Sequence, residues 1–225
     1  MGVVTSSTSS PRTRKPREER REDILASAAV IAIDEGLERI TLRAVAARLG
    51  VRPGLITHYF PVAEDLVAAA FARAAVLERE QFFTRAGTPL DRVARFVDHI
   101  ERGRSLALAR LWLNARHLSR FSPSLDAELQ EQDALDRERL TSIIQEGIAR
   151  GDFADVDAEA AGIRIFIAID GGGSYVNASV PYEHPAHTRV VADVAEWALG
   201  LPPGVLRAAI DAIGGPDAPD VADRA

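Results

Sequence analysis

Two runs in this 225-residue chain look most like reactive sites: Asp170-Gly171-Gly172-Gly173-Ser174 and Glu183-His184-x-x-His187. Glycines let backbone N–H groups approach an anion, but the first run lacks the Lys-Ser/Thr of a phosphate loop and its strand-turn-helix frame. The second offers three metal-ligating side chains, yet Pro181 and Pro185 flank it and no further His or Cys stands nearby, so a solvated loop is the simpler reading. Catalysis needs a nucleophile beside a base. There is no Gly-x-Ser-x-Gly elbow, no His-Glu-x-x-His and no cofactor fingerprint. An enzyme is therefore not expected, nor a metal or cofactor. The absence of cysteine excludes disulfides, thiol redox sensing and thiolate metal sites.

Binding chemistry is better represented. Trp112 and Arg116 (i, i+4), with His117, Phe96, Phe166 and Asp170, could line a small-molecule pocket between helices, although each alone is equally an ordinary core or surface residue. Asp170 is the sharpest of these. A carboxylate inside an apolar segment must be paired, protonated or met by a cationic ligand, and a pair with Arg164 or Arg110 is the plainest solution. At the other end of the chain, Arg12, Arg14, Lys15, Arg17, Arg20 and Arg21 face only Glu18 and Glu19. That cluster is either a solvated tail or an arm that touches nucleic acid. The net charge of −6 speaks against phosphate binding until its distribution is examined: residues 1–66 carry 10 Lys+Arg against 9 Asp+Glu, the remainder 17 against 24. A neutral-to-basic end is joined to an acidic body.

The elements that must position these residues all read as helical. With 47% apolar residues the chain can bury a substantial core. Residues 1–16 are too polar to pack, and order is expected near Pro16 or Arg17. Ile24, Ala28, Ile31 and Ala32 recur at helical spacing before Gly36. Thr41 suits an N-cap for a short segment with Leu42, Val45, Ala46 and Leu49 on one face, closed by Gly50. Pro53 suits the first turn of the next, in which Ile56 and Phe60 share a face, and Pro61 breaks it. A longer helix then runs to about Phe83 through Val67, Ala70, Phe71, Ala74 and Leu77. Thr88-Pro89 starts a helix through Ile100, Arg104 to Phe121 reads as another, and Ser122-Pro123 opens a long one ending at Gly151. Ile163 to Ile169 alternates and is β-branched, which by itself reads as a strand. No partner strand exists, and Asp157-Ala158-Glu159-Ala160-Ala161 is strongly helix-forming, so a buried helix is expected. A last pair spans 188–199 and 203–213.

Two short helices joined by a turn at Gly50 have the dimensions of a helix-turn-helix, whose second helix enters the major groove. The residues carry more: Thr41-x-Arg43-x-x-Ala46-x-x-x-Gly50-Val51, then Gly54, His58-Tyr59-Phe60-Pro61, Glu64 and Leu66. This run resembles the DNA-binding domain of the TetR family of bacterial regulators. More loosely, Leu111-Trp112, Ala115-Arg116, Leu140, Glu146-Gly147, Gly151-Asp152-Phe153 and Ile169-Asp170-Gly171 resemble the effector domain of its choline/betaine-type repressors.

The resemblance implies roles. Thr41 contacts phosphate and Arg43 a base edge, where bidentate hydrogen bonding to guanine is worth about 1–3 kcal/mol of discrimination. Arg52, Pro53, Gly54, Leu55 and Thr57 take the exposed positions of the recognition helix, and His58 and Tyr59 bind backbone phosphate. Three positions depart from the family: Arg52 where a small hydroxyl or amide residue is usual, Thr57 where Tyr is usual, and Ala63 where a phosphate-binding Lys is usual. Val62 is also a poor cap for the helix that Ala63 begins.

The expected fold is all-α: an N-terminal three-helix helix-turn-helix domain (residues 20–66) and a C-terminal helical-bundle domain for ligand binding and dimerisation (67–213), between a basic arm (1–19) and a tail (214–225). The expected function is that of a cytoplasmic, ligand-responsive regulator, a repressor. It would bind double-stranded operator DNA as a homodimer and be released by a small-molecule effector, without a membrane partner.

Overall fold

The computed structural model describes residues 16–102, 106–180 and 182–213. Among these, eleven α-helices and two short 3-10 turns are joined by brief loops, with no strand. The arm up to residue 15 and the tail from 214 lie outside the described residues. Arg17, Glu18 and Glu19, expected in the arm, form the first turn of α1 (Arg17–Asp34) instead.

Helix α2 (Leu42–Leu49) begins where Thr41 Oγ1 accepts a hydrogen bond from the Ala44 N–H at 3.0 Å. It ends where Gly50 turns left-handed (φ 63°), which lets the Val51 N–H reach back to the Ala46 carbonyl. Two residues later Pro53 opens α3 (Pro53–Tyr59). Val45, Ala46 and Ile56 are buried against α1 and α4 (Ala63–Phe82), so the outer faces of α2 and α3 remain in solvent.

Behind α4 stand α5 (Pro89–Glu101), started by a full capping box of Thr88 and Asp91, and α6 (Leu106–Leu118). Helix α7 (Pro123–Arg150) is capped by Ser122, and its Gly147 leaves the space that the Phe153 ring fills; a Cβ there would lie 2.2 Å from that ring. The alternating 163–169 stretch is helical, inside α8 (Ala158–Gly173), because Ile165 and Ala168 face the core while the Asp157 side chain caps the N-terminus. The Gly171-Gly172-Gly173 run continues this helix rather than forming a loop. The segment expected over 188–199 divides into α9 (Pro185–Thr188) and α10 (Val190–Ala198), and α11 (Val205–Ile213) closes the described chain.

Two apolar cores result. The first joins α1 to α4 with Leu111 and Ala115 of α6 and Leu125 and Leu129 of α7. The second gathers α5, the C-terminal half of α7, α8, α10 and α11 around Phe96, Ile144, Ile165 and Leu199. The first core thus runs across the expected boundary at residue 66, and Leu108 of α6 packs against both. No helix of the described residues is long and apolar enough to cross a membrane.

Candidate nucleic-acid interface and effector cavity

On the helix-turn-helix, Thr41, Arg43, Arg52, Pro53, Gly54, Thr57 and His58 are exposed, while Leu55 and Tyr59 are half-buried. Tyr59 packs its ring on the first core and meets His58 edge-on at 5.3 Å. The Thr41 oxygen accepts from the helix backbone, which leaves its O–H free to donate outward. Thr57 is differently placed: its hydroxyl donates back to the Pro53 carbonyl at 3.2 Å. Arg43 and Arg52 have no ion pair among the described residues, whereas Arg48 lies 3.9 Å from both Asp34 and Glu35. Two guanidinium groups are therefore presented unneutralised. At Gly54 an added Cβ would meet nothing within 4 Å, so no protein contact demands a glycine there. Val62 makes no side-chain cap to α4, as its apolar side chain dictates, and Glu64 and Asp65 supply negative charge to that first turn.

A separate cavity of about 500 Å³ opens between α4, α5, α6, α7, α8 and the segment around α9. Of the residues expected to line such a pocket, Phe96, Trp112, Arg116, Phe166 and Asp170 do. His117 does not. It lies one residue beyond Arg116 and so on another face of α6, exposed and edge-on to Phe121 at 5.9 Å. The expected partners of Asp170 also need correction: it pairs with Arg116 at 3.0 Å, which holds Asp133 of α7 at the same distance. Arg164 instead lies over the Trp197 ring, 5.0 Å from its centroid.

One end of the cavity is aromatic. Phe83 stacks on Phe96 at 4.9 Å, and Phe82 and Phe166 each meet Phe96 edge-on at 6.1 Å. The other end is acidic and was missed from sequence. Glu78 of α4, 8% exposed, accepts a 2.7 Å hydrogen bond from Trp112 Nε1. Burial pushes its carboxyl up to about 8, against the Trp112 hydrogen bond that favours the anion. Asp136 is pushed up to about 6 by burial, opposed by its ion pair with Arg79. Burial likewise raises Asp170 and Glu101, opposed respectively by Arg116 and by the Ala192 N–H and Arg207. Glu78 was detectable in principle. It follows Phe71, Ala74 and Ala75 at i+7, i+4 and i+3 and precedes Phe82 at i+4, which places it on the apolar stripe of α4.

The two motifs with metal or phosphate potential serve the backbone. His184 Nδ1 accepts from the Ala186 N–H at 3.1 Å, and His187 packs against Tyr175 and Tyr182. A second hollow, about 640 Å³ and open, lies over α8 and α10 and includes Ile167, Val194 and Trp197. Ile167 and Trp197 are 65% and 67% exposed there.

Residues 24–70 match the family model described as bacterial regulatory proteins, tetR family. No curated protein matches the chain. Among solved structures, a TetR transcription regulator from Haloarcula marismortui aligns with TM-score 0.65 at 19% identity, covering 81% of this chain and 97% of its own. A transcriptional regulator from Saccharomonospora viridis, solved in complex with choline, aligns with TM-score 0.66 at 21% identity over 80% and 96%. The fatty acid degradation regulator FadR from Bacillus halodurans aligns with TM-score 0.59 at 19% identity over 83% and 97%. At these identities the likeness is one of fold. The family model thus matches the helix-turn-helix, and the helices that follow share the fold of solved transcription regulators.

Proposed function

We propose that the chain is a ligand-responsive repressor of the cytoplasm that binds a near-palindromic operator as a homodimer and releases it when a small molecule fills the 500 Å³ cavity. The observation that carries this reading is shared packing: α4 and α6 belong to the same apolar core as the helix-turn-helix and also line the cavity. On α6, Leu111 and Ala115 face that core while Trp112 and Arg116 face the cavity. A ligand that repositions Trp112 or Glu78 must therefore move helices against which α1 packs, and α1 in turn supports the α2–α3 pair through α2. Release follows only if it binds the two arrangements with different affinity.

In this reading Arg43, Arg52 and the open Gly54 meet base edges, and Thr41, His58 and Tyr59 meet phosphates. Leu55 and Pro53 offer apolar contact to thymine methyls, and Thr57 does so through its methyl because its hydroxyl is bonded to Pro53. The exposed Ile163, Ile167 and Trp197 of α8 and α10 form the apolar face on which a second copy packs. Such a dimer would set its recognition helices about 34–36 Å apart.

The test is selection of bound fragments from the source genome, followed by footprinting at near-physiological salt. The expected result is a protected near-palindrome whose affinity falls about tenfold to a hundredfold on Arg43→Ala, the cost of one bidentate base contact. Salt-sensitive binding without sequence preference would instead favour a ligand-binding dimer without an operator, a reading that Ala63 in place of a phosphate-binding lysine supports.

A further inference from the structure

We propose that the cavity takes an organic cation, an ammonium with an apolar body, whose charge lies beside Glu78 and whose body lies against Phe82, Phe83, Phe96 and Phe166. The inference rests on the cavity being the effector site. The wall carries five carboxylates, Glu78, Glu101, Asp133, Asp136 and Asp170, against two guanidinium groups, Arg110 and Arg116. Four of those carboxylates already meet a guanidinium: Asp133 and Asp170 share Arg116, Asp136 takes Arg79 and Glu101 takes Arg207. Glu78 alone has only an uncharged partner, the Trp112 N–H, among the described residues.

A carboxylate in that position either holds a proton or meets a cation, since an isolated buried charge is far costlier than either. An anionic ligand has poorer prospects. Arg116 is committed to two aspartates, and Arg110 lies exposed at the rim. The side chains of this cavity therefore favour a cation.

The proton provides a signature. Ligand-free Glu78 is held largely neutral near pH 7 by burial, with Trp112 as its hydrogen-bond partner. The charged and titratable groups around it are Arg79 on α4, Glu101 on α5, Arg110 and Arg116 on α6, Asp133 and Asp136 on α7, Asp170 on α8 and His187 on α9. An entering cation stabilises the carboxylate, so Glu78 loses its proton to solvent as the ion pair forms, and affinity rises as pH rises toward 8.

Calorimetric titration of the full-length protein with octyltrimethylammonium, octanoate and 1-octanol tests this directly. The expected result is that the ammonium binds at least about tenfold more tightly than either competitor, a gap of about 1.4 kcal/mol. Comparison of phosphate and Tris buffers at pH 7 should show close to one proton released per ammonium bound. Glu78→Gln keeps an acceptor for Trp112 and so the local packing; it should weaken the ammonium about tenfold or more, abolish the proton release and leave octanol binding as it was. Octanoate or octanol binding as tightly as the ammonium would overturn the cationic class while leaving the effector reading standing. Ammonium binding untouched by Glu78→Gln would overturn the assignment to Glu78. Binding of none of the three would overturn the proposal, and operator selection tests the regulator independently.

Discussion

Gly54 separates what the protein needs from what DNA needs. It sits in the first turn of α3, exposed, with ordinary helical backbone and nothing within 4 Å of an added Cβ. In the free protein Gly54→Ala should therefore stabilise, because alanine has less unfolded-state entropy to lose; compatible Gly-to-Ala changes contribute about 0.4–1 kcal/mol. For a chain of this size that corresponds to a rise of roughly 1–4 °C in Tm, measured by calorimetry. On DNA the sign reverses. If α3 lies in the major groove, the new methyl occupies space that a base edge or phosphate fills in the complex, and overlap of one carbon should cost about tenfold in Kd, or about 1.4 kcal/mol. Fluorescence anisotropy on the footprinted operator, at two salt concentrations, reads this directly. A higher Tm with unchanged operator affinity would remove Gly54 from the interface. A lower Tm would refute the statement that its surroundings are open.

Three further outcomes follow from the same geometry. Ala63→Lys restores a cation at the start of α4 and should tighten operator binding, steepening the slope of log K against log salt by about 0.9, measured from titrations at several salt concentrations. Trp197→Glu places a charge in the middle of the exposed apolar face of α8 and α10 and should convert a dimer into a monomer at micromolar concentration in sedimentation velocity. The third concerns pH. Because folding raises the Glu78 carboxyl from 4.5 to about 8, its contribution to stability is fully present below pH 4.5 and is lost as pH rises through 8. Glu78→Gln, neutral throughout, should match the parent Tm near pH 4 and exceed it increasingly up to pH 8–9; parallel curves would show that Glu78 is ionised in the fold.

Local chemistry was legible in the sequence because it acts over a few residues. Thr41, Thr88-Pro89 and Ser122-Pro123 start helices where caps and N1 prolines must, and Gly50 and Gly151 end them in the left-handed region. The helix-turn-helix was readable because its turn and its buried side chains, Val45, Ala46 and Ile56, all lie within a dozen residues of one another. Even the β-branched 163–169 run could be assigned to a helix, since no second strand was available to pair with it.

The cavity was a different problem, decided by contacts between helices far apart in sequence. Leu77 and Glu78 both continue a helical spacing along α4, yet Leu77 is 43% exposed and Glu78 is buried, because the stripe facing α6 and α7 is set by how those helices pack. His117 and Arg116 are adjacent in sequence but diverge by about 100° around α6, so only one reaches the cavity. Asp170 found Arg116, 54 residues away, rather than Arg164 on its own helix, six residues back and on the opposite side. Helical periodicity states which residues share a face; only the tertiary packing states what that face meets, and hence which carboxylate is left without a cation.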